Sequence, residues 1–379
     1  MPNLRKLLLA CLLLTLVQLT TMPASAAEVP EGAPVRRLLY VCVPGIRADV
    51  QYGGAGILVF DIDQGHKFVR RIPLPLLGDP KKPLAVKGVC ASAETGRLYV
   101  STPRGLGCLD LLTDKEVWEK TYDAGCDRMS LSPDGKKIFL PTFEGNYWHV
   151  IDAATGDEIA RITTNSGAHN TVYGPNGKEC FCAGLHSPLL TVANAVDNTI
   201  EKTVGPFDNV IRPFTINGRQ TLCYVCVNNL LGFEIGDIAA GTKLCRVEVE
   251  GFKVGSVKRH GCPSHGIGLT PDEKEIWLSD GHNSRIHIFD NTVMPPRQAA
   301  SIELHDQPGW ITFTLDGQYA YPSTCDVIDV KTRKIVLSLK DENGQEVQSE
   351  KLLEIDFAGN KPVRAGDQFG IGRVTQQSH

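Results

Sequence analysis

Met129-Ser-Leu-Ser-Pro-Asp-Gly-Lys-Lys-Ile-Phe-Leu140 reads as a strand, a tight turn on Asp134-Gly135 and a second strand. Gly and Asn at such turns supply the positive φ that two-residue hairpins need. The turn recurs at Asn176-Gly177, Asn217-Gly218 and Asp316-Gly317, with worn copies at Thr95-Gly96, Asp272-Glu273 and Gly359-Asn360. Counted on the second turn residue, the spacings are 39, 42, 41, 55, 44 and 43 residues. A second marker keeps step with the first. An apolar residue followed by Asp ends a third strand at Phe60-Asp61, Leu109-Asp110, Ile151-Asp152, Phe289-Asp290 and Ile328-Asp329, with Ala193-Asn194 and Phe233-Glu234 as worn copies. A period near 40–50 residues with four short strands per unit is that of a β-propeller blade.

Seven units follow, at about 36–84 plus 351–364, 86–125, 126–167, 168–209, 210–250, 262–305 and 308–340. The first unit opens on Leu38-Leu39-Tyr40-Val41, already a second strand. Its missing first strand is expected from Lys351–Lys361, so the C-terminus should close the ring. Closure pairs an edge that would otherwise stay open. The expectation is one all-β domain over 27–379, a seven-bladed β-propeller.

The 379 residues carry 39 Lys+Arg against 43 Asp+Glu, net -4, with 42% hydrophobic and 22% charged residues. These values exclude a disordered or collagen-like chain and a broadly cationic nucleic-acid binder. Arg5-Lys6, the apolar run Leu7–Leu19, Pro23 and Ala24-Ser-Ala-Ala27 have the order of a secretory signal peptide over 1–26. The expected location is periplasmic or secreted, with no membrane span in the mature chain. Of 12 Cys, all but Cys11 follow the leader. Most sit on strands, where a thiol packs as a small apolar residue, so at most two disulfides are expected.

Leu131-Ser-Pro-Asp-Gly-Lys136, Leu269-Thr-Pro-Asp272, Ile151-Asp-Ala-Ala-Thr-Gly156 and Leu98-Tyr-Val-Ser-Thr102 resemble the repeats of YVTN-type seven-bladed propellers. The resemblance covers nearly the whole mature chain. It implies kinship with lactonase-like enzymes and the amine dehydrogenase heavy chain. It is specific for fold rather than activity, since function on such folds resides in loops.

Insertions at Pro44–Ala55, Pro73–Leu84, Gly251–Gly261 and Asp341–Glu350 fall on one face, the expected binding face. His169 and His265 each stand eight positions before their turn residue and so point at one central channel. With His282 they form a candidate three-histidine metal site, for which copper, zinc or a manganese-like ion is admissible. Asp127 and Glu144 are candidate catalytic carboxylates. Arg47, Arg128, Asn170, Arg212, Asn228 and Trp310 are candidate ligand contacts, the arginines suiting an anionic or sugar-like molecule. Each also has a plain structural alternative: a loop histidine bonded to backbone, a solvated charge, a tryptophan plugging the channel.

No Gly-x-Ser-x-Gly, Walker, dinucleotide or His-Glu-x-x-His pattern occurs. Three readings stay open. The first is an exported propeller, expected as a monomer, that binds a small anionic or glycan ligand or a protein partner. The second is a metal-dependent lyase, lactone hydrolase or oxidase, and the third a redox-partner subunit.

Overall fold

In the computed structural model, which describes residues 34–375, the stretch around Asp134-Gly135 pairs Ser130–Leu131 with Lys137–Pro141. Gly135 has φ +69°, and a Cβ there would collide with the Ser92 side chain of the preceding blade. The turn thus requires Gly twice over, for conformation and for close approach. Tyr147–Asp152 and Glu158–Thr163 complete an antiparallel four-stranded sheet.

Six sheets have this form and follow one another along the chain. Blade 1 has five strands, ordered Lys361–Ala365, Leu352–Ala358, Val35–Val43, Gly56–Asp61 and Lys67–Ile72. Leu352–Ala358 pairs antiparallel with Val35–Val43, Leu38 facing Ile355, so the C-terminal segment closes the ring. The only helix among the described residues is a 3-10 turn at Pro75–Leu77. None is long and apolar enough to cross a membrane. The leader expected over 1–26 lies outside the described residues.

The core is distributed between blades. Alternate residues of a strand face opposite sides of its sheet. In blade 1, Leu38, Tyr40 and Cys42 face blade 2, whereas Leu39, Val41 and Val43 face blade 7. The described residues form seven apolar clusters, one at each blade–blade junction. The insertion at Pro73–Leu84 joins this core rather than the binding face: Leu74, Leu76 and Leu77 pack between blades 1 and 2. No disulfide occurs among the described residues, and every cysteine there is buried except the half-buried Cys245.

The repeat register in blade 5 differs from expectation. The positive φ falls on Gln220 (+55°), two residues past Gly218. Asn217 explains the shift. Its Oδ1 accepts from the N–H groups of Thr221 and Leu222, the role Ser132 Oγ plays for Lys136 and Lys137 in blade 3. Asn217 therefore aligns with Ser132, and Gln220 with Gly135.

The chain after the last strand also does more than end. Residues 366–375 run across one end of the channel. Leu269 N–H donates to Gly370 O (2.9 Å), Gly372 N–H to Ile216 O (3.0 Å) and Arg373 N–H to Pro271 O (3.2 Å). Phe369 is buried beside Trp310, whose Nε1 donates to Gln368 O.

Candidate functional site

With the register corrected, one repeat position recurs eight residues before each positive-φ turn residue. It is occupied by Lys351, Gly88, Asp127, His169, Arg212, His265 and Gly309 in blades 1 to 7. Five of these seven are ionisable, and all five line one cavity of about 210 Å³ at the channel mouth. The two glycines leave room for neighbours. A Cβ on Gly309 would collide with His260, and one on Gly88 would meet Met129 Sδ at 2.9 Å.

Arg47, Lys87, Arg128, Glu144, Arg259, His260 and Glu350 complete the charged lining. Three of the long loops roof it. Arg47 donates to Arg259 O. Arg259 in turn reaches Tyr52 Oη (2.7 Å), Asp306 (2.6 Å) and Gln348 (2.9 Å).

Glu350 is the hub. It is buried, with Oε2 accepting from Lys351 Nζ at 2.6 Å and Arg128 Nη2 at 3.0 Å. Burial alone would raise its pKa, but the surrounding positive groups, led by Lys351, hold it well below the usual carboxylate range. Burial pushes Lys351 down to about 8, against the pull of Glu350. Lys351 Nζ also donates to Gly45 O (2.9 Å), so two of its three donors are engaged. Arg128 lies 3.6 Å from the Trp310 ring centroid, a desolvated cation–π contact, and donates to Asn170 Oδ1 at 3.2 Å. The channel plug thus supports Trp310, Trp310 supports Arg128, and Arg128 holds Glu350.

On the opposite wall, His169 Nδ1 stands 2.6 Å from Asp127 Oδ2. Asp127 is only 1% exposed, and its other oxygen lies 3.5 Å from Lys87 Nζ. Burial opposes its ionisation; His169, Lys87 and Arg128 outweigh that and lower its pKa.

Six cationic side chains face three carboxylates in this lining, a surplus of three positive charges with the histidines neutral. Arg212 has no carboxylate partner among the described residues, and its Nε is buried without a hydrogen bond. Arg128 Nε is likewise buried and unbonded, whereas His260 Nε2 and Glu350 Oε1 face each other at 3.1 Å. Buried polar atoms without partners cost about 1–3 kcal/mol each, so a cavity whose wall holds two such guanidinium nitrogens is fitted to a polar guest.

The structure thus brings Arg47, Asp127, Arg128, Glu144, His169, Arg212 and His265 to one cavity. Asn170 and Trp310 stand behind Arg128, off the cavity surface. Glu144 and Arg47 are exposed at its rim, both with positive φ. Asn228 is elsewhere, its N–H bonded to Val210 O. His282 is also elsewhere: it is exposed, with Nδ1 bonded to Ser256 O, and does not meet His169 or His265.

A different trio, His260, His265 and Glu350, has ligand atoms within 4.8 Å of one another. The trio fits a metal ion poorly. The two imidazoles stack with centroids 4.0 Å apart and planes 11° apart, so their in-plane lone pairs run parallel instead of converging. His265 Nδ1 is taken up by Gly309 O (3.0 Å), and Arg128 and Lys351 already neutralise Glu350. Burial pushes His260 down to about 4 and His265 well below its usual value, the neighbouring His260 adding to the latter.

A second cavity, about 480 Å³, lies at the plugged end of the channel beneath Val363–Thr375. Its Arg364 and Arg373 are paired with Asp356 (2.7 Å) and Asp367 (2.9 Å), leaving no comparable unpaired cation among the described residues there.

No family model matches the chain, and no curated protein matches it significantly. Among solved structures, Kuenenia stuttgartiensis hydrazine synthase aligns at 12% identity with a TM-score of 0.44, over 66% of this chain and 94% of that one. Likeness at that level carries no argument, and the fold assignment stands on the strand pairing above.

Proposed function

We propose that this propeller binds a small anionic molecule in the cavity at its loop-rich channel mouth. The observation that carries the reading is the surplus of positive charge around Arg212, whose guanidinium lacks a counter-ion in a semi-enclosed space. A fork of donors with no carboxylate opposite suits a carboxylate or phosphate guest. The charge surplus and the stacked imidazoles argue against a cation there, which disfavours the metal-dependent reading. The leader-like residues 1–26 make this an exported binder; cell fractionation with and without that segment tests the location.

Calorimetric titration with oxalate, inorganic phosphate and glucose tests the binding. The expected result is saturable heat with an anion, weakening as ionic strength rises, lost in Arg212→Ala and absent with glucose. Equal binding by wild type and Arg212→Ala, or binding of glucose alone, would remove the reading.

A further inference from the structure

The structure assigns a second task to the wall opposite Glu350. We propose that His169, oriented by Asp127, is a general base that takes a proton from the carbon beside the keto group of a small 2-oxo carboxylate. This rests on the anion-binding reading above and adds chemistry to it.

Four observations carry it. Asp127, buried and 2.6 Å from His169 Nδ1, fixes the proton on Nδ1 and leaves Nε2 as the acceptor. The His169 side chain is 14% exposed, and it lines the cavity. Nε2 has no hydrogen-bond partner among the described residues. An oriented imidazole with one nitrogen open to a cavity is the arrangement of a base awaiting a substrate proton.

The cavity surface also narrows the chemistry. Among the described residues it carries no Ser, Thr, Cys or Tyr, so they offer no hydroxyl or thiol nucleophile, and Lys351 is tied to Glu350 and Gly45. Proton transfer to and from carbon needs only a base and a cradle for the charge that develops. The substrate carboxylate uses one positive charge of the surplus of three; the rest face the enolate that forms.

The step balances without a further reactant. The C3–H pair becomes the C2–C3 double bond and the carbonyl π pair moves onto oxygen. The proton rests on His169 Nε2, where Asp127 stabilises the imidazolium. Reversal returns a proton to C3 after exchange with solvent.

The test follows loss of the C3 proton signal of pyruvate and 2-oxobutyrate in D₂O by NMR, with oxalate binding measured on the same proteins. Wild type should exchange at least about 100-fold faster than His169→Ala or His169→Gln, while both variants still bind oxalate. Added imidazole should restore exchange to His169→Ala. Asp127→Asn should lower the rate and move the midpoint of its rise with pH to lower pH. Wild type that binds oxalate but exchanges no faster than His169→Ala overturns the base and leaves the binding reading intact. Wild type that binds no oxalate overturns both.

Discussion

Replacing Glu350 by Gln keeps the shape of the hub and removes its charge. Lys351 Nζ at 2.6 Å and Arg128 Nη2 at 3.0 Å then share a buried space with no carboxylate. Breaking a buried pair by removing one partner costs about 3–5 kcal/mol, mostly from the stranded charge. Unfolding entropy of about 2.1 cal/mol/K per residue over roughly 340 residues is about 0.7 kcal/mol/K, so about 4 kcal/mol lowers Tm by about 6 °C. Scanning calorimetry at pH 7 reads that shift. Lys351→Met added to Glu350→Gln removes one stranded cation, so the double variant should recover about 1–3 kcal/mol relative to additivity. The Glu350→Gln cavity also gains net positive charge, so oxalate should raise its Tm more than that of wild type. A Tm within about 1 °C of wild type, with additive double-variant behaviour, would refute the view that Glu350 neutralises buried cations.

Stability between about pH 4 and pH 8 should respond to two separate groups with opposite signs. Burial and the adjacent Asp356 raise Glu354 to about 8; a raised native pKa stabilises below the unfolded value and is lost as pH climbs through about 8. That contribution should therefore fall progressively from about pH 4.5 to about pH 8 and level off above it, and Glu354→Gln should flatten that fall in denaturant titrations. His260, held near 4 by burial, is neutral in the fold; its contribution is complete above pH 6.5 and drains away as pH falls toward 4, so His260→Gln should lessen acid lability in the same assay. Burial shields the thiols and pushes Cys262 up to about 11 and Cys126 to about 12, so a chromogenic disulfide reagent should label at most Cys245 quickly in native protein. Eleven thiols should react from the mature chain in guanidinium; prompt native labelling of several would contradict the packing.

The fold was legible because two markers repeat in step and each has a local cause: a turn that needs positive φ and an Asp that caps a strand end. The central site was legible only as far as the register was right. His169 and His265 share a repeat position with Arg212 and Lys351, but Gly218 drew the blade 5 turn two residues early and Asn360 drew the closing turn one residue late. Aligning Asn217 with Ser132 restores Arg212 to the shared position, and the positive φ at Gly359 brings in Lys351. Glu350, Lys87 and His260 carry no repeat signature of their own. They reach the cavity through loops whose course depends on Arg259, Tyr52 and Gln348 meeting across the ring. The ring plug formed by Gln368 and Phe369 is equally non-local.

Closing the ring with Leu352–Ala358 also sets when the site can exist. Glu350 and Lys351 immediately precede Leu352–Ala358, so a ribosome has made all seven turns' worth of earlier sheet before it supplies the acid that Arg128 requires. A nascent chain, or one clipped before residue 350, gathers Lys87, Arg128 and Arg212 without that acid, and their mutual repulsion opposes six complete sheets and the three remaining strands of blade 1 shutting into a ring. The same carboxylate that tunes the cavity thereby rewards only a chain that carries residues 350–358, tying the charge balance of the site to closure of the ring.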